Sequence, residues 1–130
     1  ALPVHYESAV HCARIAYDVG SDMYPPVAKL RDIGEHRCKQ APMNDRPYFM
    51  CEYAHAMGNS PGTLEDYWDY NYTHEKMAGG FVWEFRSHGF YSEDENGSPY
   101  YKYGGDFDDR PTDYDFCTNG IIYSTIKLCV

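Results

Sequence analysis

Cysteine is scarce and badly spaced for cross-linking: there are five in 130 residues, an odd number, and no two form a CxxC pair. That argues against a disulfide framework and a zinc knuckle, and it points to a reducing compartment. Positive charge is also short, with 11 Lys and Arg against 20 Asp and Glu and a formal net charge of −9. Such a field repels phosphates and anionic lipid, so nucleic acid and membrane surfaces are excluded as partners. No stretch approaches the ~18 apolar residues needed to span a bilayer. The start, ALPVHYESAV, lacks the charged-then-apolar order of a signal peptide, so a cytoplasmic location is expected. There is no internal repeat and no low-complexity tract. His5, His11, His36, His74 and His88 never fall at the i, i+4 spacing of a helical metal pair. The acidic clusters Asp94-Glu95 and Asp106 to Asp109 lack EF-hand spacing and read as solvated loop charges.

What is present is aromatic. The 14 Tyr, two Trp and six Phe suit surfaces that stack on flat, weakly polar ligands and offer hydroxyls, as sugars require, and they equally suit an ordinary core. With 43% hydrophobic residues the chain is far from a disordered composition, and its length allows one domain.

Along the chain, short strand-like runs alternate with helical or loop segments, the pattern of parallel βα units. The first run is Leu2 to Tyr6 and the second Tyr17 to Tyr24. After Pro25-Pro26, the residues Val27, Leu30 and Ile33 recur at helical spacing until Gly34 offers a stop. The continuously apolar run Pro47 to Cys51 reads as a strand buried on both faces, ending on the carboxylate of Glu52. A second helix is expected with Ser60 at its N-cap, Pro61 at its first helical position and Leu64, Tyr67, Trp68 and Tyr72 on one face, closing at Gly79-Gly80. Phe81-Val82-Trp83 then reads as a fourth short strand ending on Glu84. Between Ser92 and Thr118 no periodic element is visible, although DENG at Asp94 to Gly97 predicts a tight turn. Four parallel strands are about half of a closed (β/α) barrel, in which eight strands and ~250 residues are typical and active groups project from the C-terminal strand ends. Asp22, Tyr24, Glu52, His55, Trp83 and Glu84 all stand at such ends.

A carboxylate ending a buried strand is costly to ionise without compensating partners, which argues for a site at Glu52. On local grounds alone it also reads as an N-cap or loop charge, His55 as a turn residue and Trp83 as core; His88 is left open. Met50, Met57 and Cys51 read as packing residues. Three ordered segments carry a stronger signal: PYFMCEYAHAMGNSPG at Pro47 to Gly62, GGFVWEF at Gly79 to Phe85, and YGGDFDDRPTDYDFCTNG at Tyr103 to Gly120. They resemble the β-galactosidases of glycoside hydrolase family two, and SDMYP at Ser21 to Pro25 is a weaker match in the expected order.

The resemblance implies a fold and a set of roles. Residues 1–130 would be the C-terminal part of a glycoside hydrolase TIM-barrel catalytic domain, an α/β fold holding roughly strands 5 to 8 of the (β/α)8 barrel and a long C-terminal loop region. Glu52 would be the nucleophile at the end of the seventh strand, with Tyr24 hydrogen-bonded to it. His55 would contact substrate, Trp83 would form part of the wall on which galactose stacks, and the Phe116 carbonyl and Asn119 would ligate a monovalent cation, Na or K, near the galactosyl 6-hydroxyl. The activity implied is retaining hydrolysis of terminal β-D-galactosides such as lactose, which needs two carboxyl groups ~5–5.5 Å apart. The acid/base glutamate and the magnesium ligands of the family fall upstream of Ala1, so the parent protein, expected to be a homo-oligomer, would be the enzyme. The isolated segment would be inactive, or at most a galactoside-binding module. β-Glucuronides and β-mannosides are the alternative substrates, and the AHAMGNS run and the Phe116/Asn119 pair favour galactose. Phe85, Ser87 and Asp108 depart from the family pattern, where Trp, Asp and Gly are usual, and STIKLCV at the end departs from it as well.

Overall fold

The computed structural model of the protein describes residues 1–7, 9–11, 16–39, 41–57 and 61–125. The chain divides into two compact units, one of Ala1–Ala54 with Gly62–Val82, the other of His55–Pro61 with Trp83–Val130.

The first unit is a βαβαβ arrangement. Strands β1 (Gly20–Met23), β2 (Tyr48–Tyr53) and β3 (Met77–Val82) form a parallel sheet in that order. Helix α1 (Val27–Gly34) links the first two strands and α2 (Leu64–Thr73) the last two. Helix α1 occupies the span its spacing predicts and buries Leu30 and Ile33 with Tyr48, Met50 and Tyr53 of β2. The helices pack together, the Tyr67 hydroxyl donating to the Pro25 carbonyl at 2.8 Å and the Tyr70 hydroxyl to that of Arg31 at 3.2 Å. They cover one face of β2, so Tyr48 and Met50 are fully buried while Phe49 and Cys51 are half-buried. On that second face the Phe49 ring meets His5 at 4.8 Å and Phe81 at 5.6 Å.

Other expectations are corrected. Leu2 to Tyr6 forms no strand; it makes a single parallel bridge, His5 with Val19. Helix α2 starts at Leu64 with Thr63 at its N-cap, so Pro61 precedes it, and Ser60 lies outside the described residues. Tyr72 is 83% exposed and Asn71 is the buried residue of that turn. Gly79-Gly80 does not end the helix, which stops at Thr73, but lies inside β3. There a Cβ on Gly80 would come within 2.8 Å of the Met50 side chain and 3.2 Å of the Tyr53 ring, so only glycine lets β3 lie this close to β2.

In the second unit, β4 (Phe90–Glu93) and β5 (Pro99–Lys102) form an antiparallel hairpin in the stretch that shows no periodicity. Its predicted turn is present: the Asp94 carboxylate accepts from the backbone N–H groups of Asn96 and Ser98, both at 2.8 Å. These bonds, that from Ser98 first, hold the Asp94 carboxyl below the usual aspartate value. Asp106 and Asp109 likewise accept from backbone N–H groups, of Tyr103 and Gly105. Residues 84–88 run beside 117–122: Ile121 N–H donates to the Glu84 carbonyl, Ile122 to Phe85 and Ser87 to Ile122, each at 3.0 Å. No helix among the described residues is long and apolar enough to cross a membrane.

Candidate active site

In the first unit, the site begins where β1 and β2 end. A register shift between Asp22 and Met23 brings Met23 opposite Glu52, and such a bulge at a strand end re-aims side chains. The next residue, Tyr24, is tied to Glu52 twice. Its N–H donates to the Glu52 carbonyl at 2.8 Å, and its hydroxyl donates to Glu52 Oε2 at 2.8 Å. Tyr24 takes a left-handed backbone, φ 49°, and Ala54 just past Glu52 does the same at φ 60°. Non-glycine residues adopt that region at some cost, and in folded proteins such outliers gather at functional sites. Desolvation first, then the hydrogen bond and charge of Glu52, raise the Tyr24 phenol above its ordinary range. Tyr24 therefore stays a neutral O–H donor to the carboxylate. The bond engages Oε2 of Glu52 rather than Oε1.

Asp22, also at a strand end, is engaged otherwise. It is buried in β1, paired with the Lys29 ammonium, and 3.2 Å from His11 Nε2. Cys51 is half-buried and burial raises its thiol, partly offset by a Ser21 hydrogen bond, so it stays a neutral packing residue. Cys38, Cys51 and Cys117 are free thiols; Cys12 and Cys129 lie outside the described residues.

The second unit brings His55, Trp83, Phe116 and Asn119 together. Asn119 is 1% exposed. Its carboxamide lies 3.0 Å from His55 Nε2 and 3.1 Å from Trp83 Nε1, with its other end against Glu84 Oε1. Indole nitrogen is a donor only, so the amide atom facing it is the oxygen. Asn119 Oδ1 then accepts from Trp83 and His55, and Asn119 Nδ2 donates to Glu84. The His55 ring also packs on Phe116, centroids 5.5 Å apart. The turn carrying Asn119 is pinned at Gly120, whose N–H donates to Ser87 Oγ at 3.1 Å and whose Cβ, if added, would sit 1.8 Å from the Ser87 nitrogen. Ser87, one of the departures from the family pattern, thus holds the segment next to Asn119. Glu84 stands at a strand end in the sequence, but no spacing signals its bond to a residue so far along the chain.

The oxygen pair implied for a monovalent cation is only partly available. Both lone pairs of Asn119 Oδ1 face N–H donors, which leaves the Phe116 carbonyl as the other oxygen of the pair. Among the described residues no group of three or more His, Cys, Asp or Glu side chains is arranged to hold a metal ion.

The family description "Glycosyl hydrolases family 2, TIM barrel domain" matches residues 1–128. Among curated proteins, the chain is similar to a beta-galactosidase of Halalkalibacterium halodurans, 42% identical over 125 residues, covering 95% of this chain and 12% of that protein. It is similar to a beta-galactosidase of Streptococcus thermophilus, 38% identical over 139 residues, covering 94% of this chain and 14% of the relative. A beta-galactosidase of Pseudoalteromonas haloplanktis is 46% identical over 127 residues, covering 93% of this chain and 12% of the relative. The chain thus spans 12% to 14% of the length of these relatives.

Proposed function

This chain belongs to the TIM barrel domain of the glycosyl hydrolases of family 2, and from that premise we propose that it carries the nucleophile of a retaining β-galactosidase, Glu52. The observation that supports this reading best is the double tie of Tyr24 to Glu52, at the end of a strand in a parallel βαβαβ unit. A nucleophilic carboxylate must be ionised and must keep one oxygen aimed at the anomeric carbon. A neutral phenol on Oε2 serves both needs.

Residues 1–130 are read as the C-terminal part of the barrel, with β1, β2 and β3 as its sixth to eighth strands. Glu52 Oε1 attacks the anomeric carbon of a terminal β-D-galactoside such as lactose. The bond to the departing oxygen breaks as a second carboxylic acid protonates it, leaving a galactosyl ester on Glu52. The same second carboxylate then deprotonates water, which attacks the anomeric carbon and releases galactose with retained configuration. That acid/base group is supplied by a part of the protein outside this chain, as are any magnesium ligands. His55 contacts the substrate and Trp83 offers its ring as a stacking wall. A monovalent cation would take the Phe116 carbonyl from this chain and find its other oxygens elsewhere; no step here passes through it. We further read the parent protein as a cytoplasmic homo-oligomer, on the family resemblance and the odd cysteine count alone.

The test is to express the longer protein that carries this chain, inactivate it with a 2-fluoro-galactoside and map the labelled peptide by mass. A galactosyl label on Glu52 is expected. An active enzyme labelled on another residue, or a protein that binds galactosides without turnover or labelling, would overturn the assignment.

A further inference from the structure

The amide of Asn119 faces two N–H donors on one side and a carboxylate on the other. Its orientation is not its own choice. Were the amide reversed, its NH2 group would point at the Trp83 N–H and its oxygen at a carboxylate oxygen, both repulsive. The Trp83 N–H on one side and the Glu84 carboxylate on the other fix the arrangement together. Once fixed, Asn119 Oδ1 requires a hydrogen on His55 Nε2, so the pair also sets which ring nitrogen of His55 carries the proton.

We propose that Glu84 is a positioning residue, acting through the Asn119 amide to hold the Trp83 indole and the Nε2–H form of His55 in the geometry in which they meet the sugar. The proposal rests on the reading of His55 and Trp83 as sugar contacts. The backbone is built for it: Ile121 N–H bonds to the Glu84 carbonyl itself, and the glycine at 120 lets its segment lie against Arg86 and Ser87, so Glu84 and Asn119 are held in fixed register. The Glu84 side chain is 15% exposed, and its second oxygen, Oε2, lies 3.1 Å from His88 Nε2. A competing role for Glu84, as the anionic partner of His88, therefore has to be separated from this one.

Glu84→Ala, Glu84→Gln and His88→Ala in the longer protein separate them by steady-state kinetics on a nitrophenyl galactoside, with thermal melting as the folding control. Loss of the acceptor leaves a buried amide N–H unsatisfied, so Glu84→Ala raises KM about tenfold while kcat changes far less. The glutamine oxygen accepts from Asn119 as the carboxylate does, so Glu84→Gln keeps KM within about threefold of the parent. His88→Ala leaves KM within about twofold. An unchanged KM in Glu84→Ala overturns the proposal. So does a His88→Ala variant that matches Glu84→Ala while Glu84→Gln fails to rescue, since the carboxylate would then act through its charge on His88. If Glu84→Ala does not fold, the Gln and His88 variants decide alone. A parent protein that is inactive or labelled away from Glu52 sinks the nucleophile reading, whereas these kinetic outcomes sink only the role of Glu84.

Discussion

Replacing Tyr24 by Phe removes one oxygen and little else, because the backbone N–H that bonds the Glu52 carbonyl is kept. The lost bond is a 2.8 Å donation from a neutral phenol to a carboxylate. Hydrogen bonds to charged groups contribute about 1.5–3 kcal/mol. Tyr24 is 43% exposed, so water replaces part of that interaction, and about 1.4–2 kcal/mol is a fair share for the reacting geometry. That converts to a fall in kcat/KM of about ten- to thirtyfold. The assay is initial-rate hydrolysis of a nitrophenyl galactoside by the longer protein, beside a thermal melt. Stability should move by no more than about 0.5 kcal/mol, as for other half-exposed positions. pH adds a second check. Burial, then Glu52, raises the Tyr24 phenol, so the folded value lies above the unfolded one. Linked stability is then complete below about pH 10 and is lost only as pH rises beyond it. Any alkaline limb of activity below about pH 10 must therefore survive in the Phe variant. A kcat/KM within twofold of the parent, or an alkaline limb that vanishes with the hydroxyl, would refute the role given to Tyr24.

Three further outcomes are expected. Gly80→Ala puts a methyl group against Met50 and Tyr53 and should destabilise by about 1–3 kcal/mol, read as a lowered denaturation midpoint at unchanged slope. The indole of Trp68 donates to the Tyr53 hydroxyl at 2.8 Å beside a ring contact at 6.4 Å; a double-mutant cycle with Trp68→Phe and Tyr53→Phe should give a coupling of about 1 kcal/mol. Asp94, held low by two backbone bonds, contributes to its turn above the ordinary aspartate value, and that contribution is lost as pH falls through the depressed one. The amide signals of Asn96 and Ser98 should accordingly titrate together, with a midpoint below about 3.9, the free-aspartate value, and an Asp94→Asn variant should abolish the titration.

How much of this was legible beforehand depended on whether a residue's partner lay nearby in the chain. Val27, Leu30 and Ile33 announce α1 because a helix buries residues by local spacing, and DENG announces its turn because Asp94 bonds N–H groups two and four residues on. Gly79-Gly80 misled because glycine reads as a helix stop, whereas here it answers to Met50 and Tyr53 on the neighbouring strand. The β4–β5 hairpin was missed because its strands have four residues each and are largely exposed, with no alternation to see. The sequence points to Tyr24, Glu52, His55, Trp83, Phe116 and Asn119 only through extended motifs that resemble a family. Glu84 stands at a strand end in the sequence with nothing nearby to signal a role, since its partner Asn119 comes from a distant loop.

The Asn119 cluster also has a place in time. His55 and Asn119 are 64 residues apart in the chain, and at ~5–20 residues per second of synthesis the imidazole emerges about 3–13 s before the amide that will hold it. All three strands of the parallel sheet precede Asn119 in the chain, so they can pair while the ribosome is still working toward that residue. Closing so long a loop is slow compared with local helix and turn formation. The parallel sheet can therefore form before the grip on His55 and Trp83 does.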